Sequence, residues 1–184
     1  MTHLIRSLIV STSIAVGACA TSEPGQGDDS STTADQGSND SSGNGNFDPD
    51  EVVERAMAYA DDFIRINAES RDSQHGLADT VDIWVAPAIA DLYRSLDPDA
   101  TGPLVEFPDG AMIVKAHLDA SGTAAGYTLM AKGDPESPSD GWWWARIDAS
   151  GVLKENGDVA FCVGCHESVA DEGWVYGVPL DNRL

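Results

Sequence analysis

Basic residues are scarce: 10 Lys and Arg stand against 31 Asp and Glu, a formal net charge of -21 over 184 residues. Phosphate backbones are bound by clustered Lys and Arg, so this balance argues against nucleic acid and any other polyanionic partner. Cysteine is scarce too. Three cysteines are too few for a disulfide scaffold, and a chain of this length buries a core without one. Long apolar runs are missing as well. The best candidate, Leu8 to Ala18, is shorter than the roughly 20 residues a membrane-spanning helix needs. No internal repeat is evident, which leaves one ordinary domain once terminal segments are set aside.

The short apolar run has another use. Arg6 precedes it and Val16-Gly17-Ala18-Cys19 closes it in the manner of a lipobox, the place where a bacterial lipoprotein is lipidated and cleaved. Residues 1–19 therefore read as an export signal, with Cys19 as the lipidated first residue of the mature protein. A plain secretory signal with an incidental cysteine is the blander alternative. No Asp follows Cys19, which by the sorting rule for bacterial lipoproteins directs the protein to the outer membrane, on its periplasmic or surface side. Residues 20–46 hold Ser, Gly, Asp, Thr and Asn with scarcely an apolar side chain and no Lys or Arg. Such a segment cannot bury enough surface to offset its ordering entropy, so it reads as a disordered acidic tether.

The folded domain spans residues 47–184. Asp48 is placed to cap a helix, with Pro49 at its first position and Glu51 three residues on. Val52, Val53, Ala56, Met57, Ala60, Phe63 and Ile64 then recur at helical spacing. "TVDIWVA" (Thr80 to Ala86) predicts a strand, and Pro87 opens a short helix. Further strands are predicted in "AMIVKAHL" (Ala111 to Leu118), "GYTLMAK" (Gly126 to Lys132), "WWWARID" (Trp142 to Asp148) and "WVYGVP" (Trp174 to Pro179), each bounded by turn residues. The class is α+β: an antiparallel sheet packed with one long and one or two short helices.

Chemistry concentrates in "FCVGCHESVA", Phe161 to Ala170, where Cys162-Val163-Gly164-Cys165-His166 fits the Cys-x-x-Cys-His attachment pattern of c-type haem. Two thiols add across the porphyrin vinyl groups, and a histidine directly after the second cysteine is held where its imidazole reaches the iron. A thioredoxin-type redox pair belongs between a strand and a long helix early in a βαβ unit, which is absent here. A structural zinc site needs two further ligands; His75 and His117 are available but lie at no finger-like spacing. A disulfide across the short loop is the plainest alternative. Haem attachment uses the cysteines most completely.

The ordered series of helix, "VDIWVAP", "FPDGAMIVK" (Phe107 to Lys115), "GYTLMAK", "DGWWWARID", haem motif and "EGWVYGVPL" resembles the cytochrome P-460 family, which also includes the β-sheet form of cytochrome c′. The resemblance runs from about Phe47 to Leu180. It implies a mostly antiparallel sheet with helices, a homodimer, and a single covalently bound haem c whose five-coordinate iron has His166 as proximal ligand. In founding members of the family a lysine at the end of the "DG...VK" strand is also bonded to a porphyrin meso carbon, and Lys115 matches that position. On a strand, Ile113, Lys115 and His117 share one face, opposite Met112, Val114, Ala116 and Leu118. A lysine at the sheet rim with its amine in solvent is the commoner fate of such a residue.

Two departures from the family bear on activity. Relatives that oxidise hydroxylamine carry a proton-relaying carboxylate on the strand after the lysine; here Thr128 falls there, and no Asp or Glu lies between Asp119 and Asp134. An arginine implied just before the "VDIWV" strand falls at about Val81. The leading reading is then an open haem site for nitric oxide or related small nitrogen and oxygen species; oxidation of hydroxylamine or nitric oxide goes with it if Lys115 is bonded to the haem, and the missing distal acid or base counts against the hydroxylamine reaction. The alternative is a six-coordinate periplasmic electron carrier in which His117, His75 or Met130 supplies the sixth ligand and the acidic surface docks a basic redox partner. For each of those three, ordinary packing or exposure is the blander account. Trp142, Trp143 and Trp144 alternate faces, two to one side and one to the other. Glu167 sits beside His166, where solvation is its plainest role.

Overall fold

The computed structural model describes residues 47–74, 76–99 and 102–184; the predicted export signal with Cys19, the acidic tether and His75 lie outside the described residues. Stretches rich in β-branched and aromatic side chains form strands, because such side chains fit a pleated, half-buried surface. These are β1 (Ile64–Arg65), β2 (Arg71–Asp72), β3 (Thr80–Val85), β4 (Met112–Leu118), β5 (Ala124–Lys132), β6 (Trp142–Asp148) and β7 (Leu153–Gly157). All belong to one antiparallel sheet of order β1-β3-β4-β5-β6-β7, with β2 also paired to β3. β7, "LKENG", lacks apolar alternation and is not predicted by it. It is an edge strand, where charge is tolerated and blunts further pairing.

Among the described residues four α-helices accompany the sheet: α1 (Pro49–Met57), α2 (Tyr59–Asp62), α3 (Ala90–Arg94) and α4 (Ala160–His166). Asp48 caps α1 as predicted, its side chain accepting from the backbone N–H of Asp50 at 2.9 Å. The helical repeat read from Val52 to Ile64 does not run through as one helix. It breaks at Ala58, and α2 ends with Asp61 and Asp62, whose charges oppose the negative end of the helix dipole. Phe63 is already extended, and Ile64 pairs with Val85 as part of the sheet.

Strand side chains alternate, so register sorts the sheet into two faces. On one, Trp84, Val114, Leu129 and Ala145 lie in a row. Tyr59 packs on Trp84 and Tyr127 at 5.3 and 5.6 Å, and Phe47 packs on Trp143 at 5.7 Å, so the chain from Phe47 through α2 covers this face. The other face carries the rows Val85–Ile113–Met130–Trp144 and Ile83–Lys115–Thr128–Arg146, with His117 next along β4. α3, α4 and the C-terminal segment lie over it. The three consecutive tryptophans follow the alternation: Trp142 and Trp144 face α4, and Trp143 faces away.

The segment Trp174–Pro179, predicted as a strand, forms none. Trp174 has φ 68, a left-handed value that breaks an extended run, and the groups that follow bond to helices and side chains instead of a neighbouring strand. No helix among the described residues is long and apolar enough to cross a membrane.

Candidate functional site

Cys162, Cys165 and His166 all lie on α4, a short helix that brings residues three and four apart onto one side. Cys162 and His166 face the sheet, 3% and 4% exposed, while Cys165 is half-buried. The two cysteines are not joined by a disulfide. Burial pushes the Cys162 thiol up to about 11, against the pull of Lys115 and Arg146.

His166 is held by its neighbours on three sides. Its Nδ1 lies 2.7 Å from the carbonyl oxygen of Trp174. A carbonyl can only accept, so Nδ1 carries the proton and Nε2 keeps its lone pair. This is the tautomer and the kind of backbone partner that a metal-binding imidazole requires. The rings of Trp144 and Tyr176 flank it edge-on at 4.7 and 5.1 Å. Burial, reinforced by the Lys115 charge and opposed by the Trp174 bond, pulls the imidazole down to about 3 and keeps it neutral.

The Trp174 carbonyl is placed by local backbone strain. After α4 the chain tightens into a 3-10 turn, Glu167–Glu172, which ends on Gly173 at φ 89 and then Trp174 at φ 68. A left-handed tryptophan costs energy and persists only where its surroundings impose it. Trp142 supplies part of that constraint, since its Nε1 donates to the Gly173 carbonyl at 3.1 Å. Replacing Trp142 with Phe retains the stack on Phe107 but leaves that buried carbonyl unpaired; urea unfolding is expected to show a loss of about 1 to 3 kcal/mol. Tyr176 ties the same segment to the helix, its Oη donating to the Cys165 carbonyl at 2.8 Å and its own carbonyl accepting from Tyr93 Oη at 2.9 Å.

Between α4 and the sheet lies a small cavity whose walls bring together five residues singled out from the sequence: Lys115, Thr128, Met130, Cys162 and His166. A second cavity of about 230 Å³ adjoins it and shares Lys115; Arg71, Asp72, Val81 and Tyr93 are among its other walls. Lys115 is thus at the meeting point of the two cavities rather than at a solvated rim. Burial pulls its amine down to about 8, with Arg71 acting in the same direction and Cys162 against it.

His117, wholly buried, is bonded at both ring nitrogens: Nδ1 to Ser73 Oγ and Nε2 to Thr128 Oγ1, each at 3.0 Å. Met130 is in register with Trp144, the ring that packs on His166. Glu167 is solvent-exposed. Among the described residues no group of three or more His, Cys, Asp or Glu is arranged to share a metal ion, so the zinc alternative finds no ligand set there.

These residues fit a haem. Trp144, whose ring lines the smaller cavity, has its Nε1 buried with no hydrogen-bond partner, a donor left over for an acceptor on a bound group. The cations Lys115 and Arg71 in the walls suit the propionates of a porphyrin. Cys162, Cys165 and the Nε2 of His166 are the groups that would hold such a cofactor.

Sequence reasoning missed Arg71, Tyr176, Ser73 and the Trp174 carbonyl. Arg71 bears on the arginine implied near Val81: it sits on β2 directly across from Val81 and reaches the larger cavity from there. Arg146 was legible, because it continues the period-two face of Trp142 and Trp144.

Comparison with known proteins adds one family. Residues 58–177 match the family described as Cytochrome P460. No curated protein matches the chain. The matched stretch covers more than half of the sequence and takes in the main strands of the sheet, α4 and the Trp174 turn, so the chain belongs to the Cytochrome P460 family and is a haem cytochrome.

Proposed function

We propose that this protein is a mono-haem c-type cytochrome whose haem is joined by thioethers to Cys162 and Cys165 and ligated by His166, with the opposite axial position open to nitric oxide or another small nitrogen or oxygen species. The observation that carries this reading is the state of His117. Both of its nitrogens are engaged by hydroxyl groups, which removes the foremost histidine from the role of sixth ligand. Met130, the other described candidate, lies in the row of Trp144 on the His166 side. Bound haem supplies an iron that takes up the small ligand and changes oxidation state. The chain's own residues orient His166 through the Trp174 carbonyl, shield the site with Trp144 and Tyr176, and leave the two cavities that meet at Lys115 as room for the haem and its ligand.

Lys115 adds a finer question within this reading. An amine with a pKa of about 8 is uncharged in about a tenth of molecules at pH 7, far more than an ordinary lysine, and it lines the same cavity as Cys162 and His166. It is therefore placed to bond to the porphyrin, and in that form oxidation of hydroxylamine or nitric oxide becomes part of the proposal.

The test is the optical spectrum of the export-matured protein, oxidised and dithionite-reduced, before and after nitric oxide. A broad five-coordinate spectrum that changes on adding nitric oxide is expected; a strongly red-shifted reduced Soret band that Lys115→Arg abolishes reports the lysine bond. Sharp six-coordinate bands unchanged by nitric oxide overturn the reading in favour of an electron carrier. We also place the protein on the outer membrane through a lipid on Cys19, as a homodimer served by a separate redox partner. Loss of palmitate labelling in Cys19→Ser checks the anchor.

A further inference from the structure

His117 is the buried titratable group that the open-site reading leaves without a task. Burying an imidazole is costly unless its polar atoms are satisfied, and here both are, by hydroxyl groups on opposite sides of the ring. Nε2 meets Thr128 Oγ1 at 3.0 Å, and Thr128 lines the cavity shared with His166 and Lys115. Nδ1 meets Ser73 Oγ at 3.0 Å, and Ser73 is a half-buried residue just beyond β2, with exposed residues on either side of it in the loop. The three side chains make a continuous hydrogen-bonded file from the cavity wall, through the wholly buried ring, to the protein surface.

We propose that Thr128, His117 and Ser73 form a proton relay between solvent and the ligand side of the haem pocket, supplying the proton transfer for which β5 offers no carboxylate. The inference rests on the open-site reading above. A hydroxyl both donates and accepts, and a neutral imidazole donates at one nitrogen while accepting at the other, so each link can pass a proton on as it takes one up. A ligand entering as its neutral acid gives its proton to Thr128 Oγ1; the Thr128 proton moves to His117 Nε2; the Nδ1 proton moves to Ser73 Oγ, which releases its own to water. One proton has left the pocket and no charge remains in the file. The ring is left as its Nε2–H tautomer; release of the ligand as its neutral acid runs the same transfers in reverse and restores the starting tautomer. The charges that act on His117, Lys115 two residues along β4 and Arg146 on β6, are both positive. They oppose an imidazolium and keep the ring in the neutral form that tautomer exchange requires.

Asp72 is the rival acceptor, because its exposed carboxylate also lines the larger cavity. Stopped-flow binding of two ligands to the haem-loaded full chain separates the routes. Cyanide, added to the ferric protein at a pH where it is almost all hydrogen cyanide, must lose a proton to bind; nitric oxide, added to the ferrous protein, has none to lose. The expected result is that Thr128→Val and His117→Gln each lower the ratio of the cyanide to the nitric oxide association rate by about 100-fold, the usual scale for removal of a general base. Ser73→Ala lowers it in the same direction, and Asp72→Asn leaves it as in the unaltered protein. If His117→Gln fails to fold, Thr128→Val decides alone. An unchanged ratio in Thr128→Val, or a fall of that size in Asp72→Asn, overturns the relay while leaving the open site intact. A protein that binds neither ligand overturns the open site and the relay together.

Discussion

Gly173→Ala is expected to destabilise the fold by about 3 kcal/mol or more and to loosen the hold on His166. Two costs combine. The position has φ 89, where an L side chain is strained by about 1 to 2 kcal/mol. A Cβ there would also lie 2.2 Å from the carbonyl oxygen of Val105, far inside contact distance, and that atom belongs to the backbone, so it has no rotamer by which to escape. The chain must therefore move at the very residue whose successor orients His166. Gly110→Ala provides the contrast: its φ is 82 but nothing lies within 4 Å of the added carbon, so only the strain of about 1 kcal/mol is expected. Urea unfolding measures both losses. In the haem-loaded protein, the iron–histidine stretching frequency of the ferrous form should shift in Gly173→Ala and stay put in Gly110→Ala. Equal losses in the two variants would show that the contact with Val105 does not matter.

The same turn shows where reading the sequence stops. Alternation in "MIVKAHL" and "WWWARID" places Lys115, His117, Trp142, Trp144 and Arg146 on one face, because the period of a strand is a local property of the backbone. The spacing of Cys162, Cys165 and His166 is likewise local, being one and a fraction turns of helix. What lies across from each of these is not local. His166 finds its partner eight residues on only because Gly173 and Trp174 both adopt left-handed backbone, and a tryptophan gives no sign of doing so. Arg71 reaches the cavity because β2 doubles back on β3 opposite Val81, and linear order carries no record of that pairing. Ser73 meets His117 for the same reason, at a separation of 44 residues. The break at Ala58 is a conflict between an apolar repeat that favours helix and a pairing of Ile64 with Val85 that favours sheet; the sheet prevails there. The residues that bear chemistry were therefore readable, and the groups that hold them in position were not.

Acid is expected to destabilise the protein by about 3 kcal/mol between pH 6.5 and 4 through His117 alone. Burial, with help from Lys115 and Arg146, lowers its folded pKa from 6.5 to about 4. In the unfolded chain the ring takes up a proton as the pH falls through 6.5, while in the folded chain it does not until about 4, so the unfolded state binds more protons throughout this window. Stability contributed by the neutral ring is complete above the unfolded value and declines as the pH drops toward the folded one, by about 1.4 kcal/mol for each pH unit that separates the two. His166, lowered from 6.5 to about 3 chiefly by burial, adds to this loss over the same window and in the same direction, equally in the two proteins compared below; the other shifted groups act elsewhere on the scale. The lowered pKa of Lys115, about 8, imposes a cost that is already constant below that pH. Asp119 and Asp148, whose carboxylates are held low by hydrogen bonds from Ser121 and from Lys154 and Ser150 respectively, lose their contribution only as the pH falls below the ordinary carboxylate range. His117→Gln, which keeps a polar side chain between Thr128 and Ser73 but cannot be protonated, should therefore be flatter than the unaltered protein from pH 6.5 to 4 when both are unfolded in urea. Parallel slopes would mean that the ring accepts a proton in place. A ring that did so would hold charge where the relay needs it neutral, which joins this equilibrium measurement to the kinetics of the pocket.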